Sequence, residues 1–201
     1  MAAMTTDHTH TTSDRWGVRP RQASAPRLGV DDLGAGAHAV QFYADDAFLL
    51  DTLSGYFAAG LAAGDACLVV ATPSHRLGLA RRLDAMGVDV ALARREGRYR
   101  ALDAAHMLAQ LLRGDQPDPQ RFARVVGPLI ARAGREARHV RVFGEMVALL
   151  VADGNTAGAI RLEALWNELQ ASTPNAFSLA CGYPLSSFGA QAHGACFHDI
   201  C

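Results

Sequence analysis

A short run of consecutive apolar residues, Cys-Leu-Val-Val-Ala at positions 67–71, most restricts what this chain can fold into. Because successive side chains of a strand point to opposite faces, a strand that is apolar throughout must be covered on both faces. This is typical of a parallel sheet with helices packed on both sides. Similar short runs predict further strands at residues 40–43, 88–93, 99–102, 139–143 and 177–181.

Between these strands, apolar residues recur at spacings of three and four, which predicts amphipathic helices. Polar capping residues mark the predicted helix starts, which are Asp45 or Asp46, Ser74, Asp103, Asp118 and a residue near Thr156. Pro128 should kink or break the helix that contains it. Strands that alternate with helices over this length predict an α/β fold of three layers with a mostly parallel sheet.

The composition is that of one globular domain. Apolar and aromatic residues make up 50% of the 201 residues, and the formal net charge is −1, so the chain has no electrostatic preference for nucleic acid or anionic lipid. No apolar run approaches the ~20 residues of a membrane span, and the first residues lack the basic-then-apolar order that is typical of a signal peptide. We therefore expect a cytoplasmic protein without direct nucleic-acid or membrane contacts, in which Cys67 and Cys181 are reduced core thiols.

The two ends of the chain differ from its middle. Residues 1–36 are rich in Thr, His, Pro, Arg and Gly and lack apolar periodicity, so we predict a disordered, dispensable tail before a domain over residues 37–201. Two histidines in the tail and four possible ligands near the C-terminus lack the spacing of a zinc site, and we expect neither group to bind metal. They are His8 and His10, and His193, Cys196, His198 and Cys201.

Most candidate binding residues directly follow the predicted strands. In open parallel sheets, ligands bind beyond the carboxyl ends of the strands. These positions hold several carboxylates and no Lys or Arg, which favours a cationic, polyol or neutral polar ligand over a phosphate. Helix capping is the alternative explanation for the acidic ones. The candidates are Tyr43, Asp45, Asp46, His75, Asp103, Glu145 and Tyr183.

Glu145 has two possible roles, contact with a ligand or a structural hydrogen bond to a neighbouring loop. If it faces the crevice from the first turn of its helix, Glu145→Gln should change the free energy of unfolding by under about 1 kcal/mol. A buried Glu145 with a charged partner predicts a loss of roughly 3–5 kcal/mol instead.

Five further candidates lie in or near other elements. Glu163, Trp166 and Asn167 share one face of a predicted helix, where they could bind a small polar ligand or tie the helix to the sheet. His38 and Gln41 belong to the first strand region. A single histidine beside an apolar strand is more often a structural hydrogen-bonding residue than a ligand.

Six motifs together resemble the MEDS domain, a sensory domain named after methanogen and methylotroph regulators and DcmR. They are His38-Ala-Val-Gln-Phe-Tyr-Ala-Asp-Asp46, Leu61-Ala-Ala-Gly-Asp65, Leu102-Asp-Ala104, Phe143-Gly-Glu-Met-Val147, Leu162-Glu-Ala-Leu-Trp-Asn167 and Cys181-Gly-Tyr183. The resemblance implies a sensory or regulatory α/β domain, found alone or attached to DNA-binding or kinase modules.

Residues 60–90 also look like the second β-α-β unit of a RecA/KaiC-type ATPase. Such ATPases cradle phosphates in a Gly-rich loop ending in Gly-Lys-Ser/Thr, one unit upstream. Here Ala44-Asp45-Asp46 stands at that place, where two carboxylates repel a triphosphate. The resemblance therefore implies a RecA-like scaffold with a degenerate phosphate loop.

These observations favour a non-catalytic sensory domain. We expect it to bind a small molecule or a protein in the crevice and to relay a signal to a histidine kinase, an anti-sigma factor or a transcription regulator. No cofactor or metal is expected. The alternative is a metal-dependent hydrolase or nucleotide-binding enzyme that uses Asp45, Asp46 and Glu145, with His75 as a base.

Overall fold

The computed structural model describes residues 33–187 of the chain. The C-terminal His and Cys residues, which we expect not to bind metal, and nearly all of the predicted disordered tail lie outside these residues, so both expectations stay predictions. Within the described part, no helix is both long enough and apolar enough to cross a bilayer.

Five parallel strands form the central sheet, in the order β1-β7-β6-β2-β3. All five were predicted, four of them within two residues of both observed bounds, whereas the strand that begins at Phe177 runs three residues past its predicted end. The strand Ala66–Ala71 is buried along its whole length, as its apolar run requires. A separate two-stranded hairpin, which turns at Gly114 with φ 65°, was not predicted. The strands are β1 (His38–Tyr43), β2 (Ala66–Ala71), β3 (Tyr99–Asp103), β4 (Leu112–Arg113), β5 (Gln116–Pro117), β6 (Val140–Gly144) and β7 (Phe177–Pro184).

Seven α-helices connect the strands in the described residues, followed by one short 3₁₀ turn at Leu185–Ser187. Five of them begin after an aspartate or asparagine side chain that accepts a backbone N–H, and the caps Asp45, Asp103 and Asp118 are aspartates that the capping pattern predicts. The helices are α1 (Asp46–Ala62), α2 (Pro73–Ala85), α3 (Val90–Arg95), α4 (Ala104–Leu111), α5 (Pro119–Ala133), α6 (Met146–Ala152) and α7 (Thr156–Ser172).

The helices form one layer on each face of the sheet. Alternate residues of β2 divide between the two cores: Leu68 and Val70 pack with α4–α7, whereas Cys67, Val69 and Ala71 pack with α1–α3. This confirms the three-layer α/β architecture with helices on both faces, and the arrangement is consistent with a RecA-like fold. The descent from an ATPase that lost its phosphate loop stays a prediction.

Three local predictions are wrong. Residues 88–93 do not form a strand, because Asp89 accepts the Leu92 N–H at 2.7 Å and caps α3. Ser74 lies inside α2 rather than at its cap, since Pro73 already occupies the first turn after Thr72. Pro128, an exposed residue, does not break α5, which continues to Ala133, so of the two predicted effects, a kink or a break, the break is wrong.

A buried ion pair joins the layers at the amino ends of the strands. Arg141 donates from Nε to Asp65 at 2.8 Å and from Nη1 to the Tyr56 carbonyl at 3.0 Å, with the guanidinium carbon 4.7 Å from the centroid of the Tyr56 ring. A Cβ at Gly60 would lie 2.6 Å from Cδ and Nε of Arg141, so any other residue would have to displace the paired guanidinium. Asp65, part of one MEDS-like motif, therefore holds the sheet to α1.

Candidate functional site

The strand order places a crevice between β2 and β6. From β2 the chain moves outward to β3 through α2 and α3 on one face, and from β6 it moves the other way to β7 through α6 and α7 on the opposite face. Because the connecting helices leave in opposite directions on opposite faces, the carboxyl ends of these two strands form a topological switch point. This topological switch point is the place where open α/β sheets bind ligands.

Glu145 lies at the floor of this crevice. Its backbone N–H donates to Val70 at 2.9 Å, and its Oε2 accepts the Thr72 N–H at 2.8 Å, so it connects the ends of β6 and β2. Its other oxygen, Oε1, accepts a hydrogen bond from His75 Nδ1. With φ −114° and ψ 3°, Glu145 occupies the sparsely allowed bridge region, where many active-site residues are found.

The structure thereby corrects one premise of the sequence analysis. Glu145 is the residue before α6 rather than part of its first turn, and only 2% of it is exposed. It therefore does not face solvent from the helix, and the expectation of a small effect for Glu145→Gln no longer follows from its position.

His75 connects the buried Glu145 carboxylate to the protein surface. Its Nε2 lies 3.2 Å from Asp46 Oδ1, and the Asp46 side chain is 66% exposed. Tyr43 is buried beside them, with its ring centroid 6.1 Å from that of His75. We call Tyr43, Asp46, His75 and Glu145 the crevice cluster.

Protons are held firmly in the crevice cluster. The hydrogen bond to Glu145 raises the pKa of His75 above its ordinary value, and the charges of Glu145 and Asp46 outweigh the opposing effect of burial. Burial, with the same two carboxylates, raises the pKa of Tyr43, so its hydroxyl stays protonated as a donor. In the crevice cluster, Asp46 is exposed to solvent and contacts the His75 imidazole. The imidazole in turn donates a hydrogen bond to the buried Glu145 carboxylate.

Two other predicted residues of the rim act as helix caps. Asp45 accepts the Phe48 N–H at 2.8 Å and caps α1, and Asp103 accepts the His106 N–H at 2.9 Å and caps α4. Asp103 also pairs with Arg76 at 2.9 Å, and these bonds lower its pKa, the capping bond most. Because β2 separates β3 from β6, Asp103 stands about 10 Å from Glu145 across the sheet edge.

A second group of polar side chains lies against α7 on the opposite face of the sheet. His38 Nε2 is 3.1 Å from Glu163 Oε2, and Cys181 Sγ is 3.5 Å from both atoms. Tyr183 donates its hydroxyl to Glu163 Oε1 at 2.8 Å, and His38 Nδ1 donates to Asn167 Oδ1 at 2.7 Å. We call these five residues the edge cluster, because β1 is an edge strand.

Burial and Glu163 shape the protonation of the edge cluster. Burial lowers the pKa of His38, but the hydrogen bond to Glu163, its charge and the bond to Asn167 together raise it above the ordinary value. Burial raises the pKa of the Cys181 thiol well above its usual range, and Glu163 adds to this. The prediction that Cys67 and Cys181 are free, buried thiols is confirmed.

Trp166 and Gln41, two of the predicted binding residues, are buried and contact residues outside the two clusters. Trp166 is 1% exposed and packs edge-to-face on Phe122 and Phe177, with centroids 5.1 and 6.0 Å apart, so it fills the core. Gln41 is buried and donates from its amide to the Phe42 carbonyl at 2.7 Å.

Sequence reasoning missed three contributors. The Thr72 N–H is a backbone group, so the residue type at position 72 does not reveal its contact with Glu145. Arg76 lies 27 positions from Asp103 in the sequence, so no local pattern shows that the two pair. Cys181 had a usable signal, since it stands two residues before Tyr183 and therefore on the same face of β7.

The opposite end of the sheet carries a cleft of different character. Its volume is about 710 Å³, and it lies between the segments that precede β3 and β6. Six arginines and two glutamates contribute to its lining: Arg94, Arg95, Arg98, Arg100, Arg132 and Arg135, and Glu96 and Glu136. A positive surface was not expected from the overall balance of charge.

The raised pKa of His75 predicts how stability depends on pH. Since the folded state binds this proton more tightly than the unfolded state, the stabilisation is fully present below the unfolded pKa of 6.5 and is lost as pH rises through the folded pKa. We expect the difference in free energy of unfolding between wild type and His75→Gln to shrink as the pH rises above 6.5. Urea denaturation across this range measures it, and a difference that stays constant would contradict the protonated pair.

Comparison with known proteins identifies the family of this chain. No curated protein matches the chain significantly. The family model of MEDS, the MEthanogen/methylotroph, DcmR Sensory domain, matches residues 37–199, a range that contains both clusters and all seven strands. The chain therefore belongs to the MEDS family of sensory domains.

Proposed function

We propose that this protein is a non-catalytic sensory domain whose ligand binds at the crevice cluster. The observation that carries the proposal is the relay from exposed Asp46 through His75 to buried Glu145, at the switch point of the sheet. A ligand that contacts Asp46 changes the charge balance of a buried pair, and that pair joins the ends of β2 and β6. Ligand contact is thereby coupled to the packing of two central strands.

The chemistry of the crevice favours a cationic or neutral polar ligand. Its exposed group is a carboxylate, and Arg76, the residue after His75, pairs through Nη2 with Asp103 at 2.9 Å. The N-terminus of α1, which could otherwise attract an anion, is capped by the Asp45 carboxylate. An amine, amide or hydroxyl donor is therefore a better match than a phosphate.

A thermal-shift screen of amines, amino acids, polyols and nucleotides tests the proposal. A compound at about 100 times its Kd adds about 2.7 kcal/mol, which is about 5–10 °C in Tm for a domain of this size. We expect hits among donor compounds, with an affinity about tenfold lower in Asp46→Asn. Asp45→Asn is the matched control, because asparagine keeps the cap while it removes a neighbouring exposed charge. Equal losses in both variants would contradict the assignment of Asp46.

The enzymatic alternative finds less support in the crevice. His75 uses opposite ring nitrogens for Asp46 and Glu145, so the two carboxylates are held apart across the imidazole. In residues 33–187, the grouping of three metal-ligand side chains that is found lies in the edge cluster and not in the crevice. This arrangement does not offer a divalent ion several carboxylates at once.

We expect no hydrolysis of ATP or GTP by the purified protein. The α1 N-terminus holds Asp45 and Asp46 where phosphate binding would need glycine and lysine. Phosphate release measured with Mg²⁺ should stay at background. Turnover above background that disappears in Asp45→Asn would contradict this expectation.

The output surface is proposed to be the arginine-lined cleft at the amino ends of β3 and β6. Six arginines there suit an acidic surface on a signalling protein, such as a histidine kinase, an anti-sigma factor or a transcription regulator. Because β6 runs from this cleft to Glu145, one strand connects the two ends.

A further inference from the structure

We propose that His38, Glu163 and Cys181 of the edge cluster form a Zn²⁺ site with three protein ligands and one open position. The ligand atoms are His38 Nε2, Glu163 Oε2 and Cys181 Sγ, which all lie within 4.8 Å of one another. The site lies beneath α7, on the face of the sheet opposite to α1–α3, and is separate from the crevice cluster. It goes beyond the proposed function and replaces the sequence-based expectation that no metal binds.

The distances between the three atoms match one face of a zinc tetrahedron. With Zn–N and Zn–O bonds of about 2.1 Å and a Zn–S bond of about 2.3 Å, tetrahedral geometry separates N from O by about 3.4 Å and S from either by about 3.6 Å. The corresponding distances are 3.1 Å for His38 to Glu163, and 3.5 Å for Cys181 to each of them. Little rearrangement is needed to admit the ion.

Two neighbouring side chains already hold the ligands in the required form. The Asn167 carbonyl oxygen accepts the proton on His38 Nδ1, which directs Nε2 towards the other two ligands. Tyr183 occupies the second oxygen of Glu163, which leaves Oε2 for the ion. Such outer hydrogen bonds orient the histidine and carboxylate ligands of zinc sites.

Charge balance allows a cation here, because the cluster is neutral both without and with the ion. Glu163 is 3% exposed, and among the described residues its ion pair is with His38 alone. A carboxylate and a thiolate neutralise Zn²⁺, so the loaded site buries no net charge. On binding, the thiol proton of Cys181 and the proton shared by His38 and Glu163 are released to solvent.

The fourth coordination position of the ion is open to water or to an external ligand. Zinc sites with three protein ligands keep a fourth position for water or an external ligand, whereas purely structural sites have four protein ligands. His38 stands on the edge strand with 15% of its side chain exposed, which gives a route for the ion.

Titration of the metal-free full chain with Co²⁺ and Zn²⁺ tests the site. We expect one ion per chain, with a thiolate-to-cobalt charge-transfer band and the intense visible bands of four-coordinate cobalt. Cys181→Ser should abolish the charge-transfer band, and Glu163→Gln should weaken Zn²⁺ binding by about 100-fold. Asn167→Ala, a positioning change, should weaken it by about tenfold.

Three controls make the result decisive. Cys67→Ser removes the buried thiol on the other face, and Cys196→Ser with Cys201→Ser removes the terminal thiols; all should keep the band. Thermal unfolding of each metal-free variant checks that it folds. If Cys181→Ser does not fold, zinc binding by Glu163→Gln provides the test instead. The proposal is overturned if wild type binds no zinc, if Cys181→Ser retains the band, or if folded Glu163→Gln binds zinc as tightly as wild type.

Discussion

Glu145→Gln is expected to lower the free energy of unfolding by about 3–5 kcal/mol. The carboxylate accepts from two donors, the Thr72 N–H and His75 Nδ1, and both of its oxygens are used. A glutamine offers one acceptor oxygen, so its NH₂ group must face one of these donors in a buried place. Urea denaturation measures the loss as a lower midpoint at unchanged slope.

A matched control separates burial from charge. Glu136→Gln makes the same chemical change on an exposed glutamate, and it should alter stability by no more than about 0.5 kcal/mol. A second variant, His75→Gln with Glu145→Gln, should cost less than the two single changes added, because the residues share one interaction. If Glu145→Gln costs under about 1 kcal/mol, the buried pair does not hold β2 and β6 as described.

Arg141→Met is expected to be as damaging, again by about 3–5 kcal/mol. The change removes the only positive partner that the described residues give to Asp65, whose side chain is 8% exposed. It also leaves the Tyr56 carbonyl without the Arg141 donor. Methionine retains the aliphatic volume of the side chain, so the loss reports charge and hydrogen bonds rather than a cavity.

An exposed ion pair provides the comparison for Arg141. Arg161 and Glu168 are paired at 3.1 Å with side chains 39% and 61% exposed, and Arg161→Met should cost at most about 1 kcal/mol. Asp65→Asn combined with Arg141→Met should be less destabilising than the sum of the single changes. Similar losses for Arg141→Met and Arg161→Met would show that burial of the pair contributes nothing.

The sequence was sufficient for the layers of the fold because periodicity reports local burial. The apolar run of β2 required two covered faces, and capping aspartates marked α1, α4 and α5. Residues 88–93 alternate like a strand, yet Asp89 can accept a backbone N–H and arginines follow in the last turn, so the helix is favoured. A single capping bond decided between two patterns that the apolar residues left open.

The sites were less accessible to sequence because they depend on strand order. Residues after strands could be assigned to one rim, which is where Asp46, His75 and Glu145 lie. The burial of Glu145 follows from the pairing of β6 with β2, and no local pattern encodes that pairing. The contact of His38 with Cys181 joins residues 143 positions apart through the pairing of β1 with β7.

Mapping a bound compound on the backbone amides tests the central claim most directly. A hit from the screen of amines, amino acids, polyols and nucleotides is titrated into ¹⁵N-labelled protein, and amide shifts are followed by NMR. We predict the largest amide shifts at residues 43–46, 72–76 and 144–146. Over the same range of compound concentration, these shifts should saturate in wild type and in Asp45→Asn but not in Asp46→Asn. Shifts confined to the arginine-lined cleft or to the edge cluster, with residues 43–46 and 144–146 unmoved, would contradict a sensory site at the switch point.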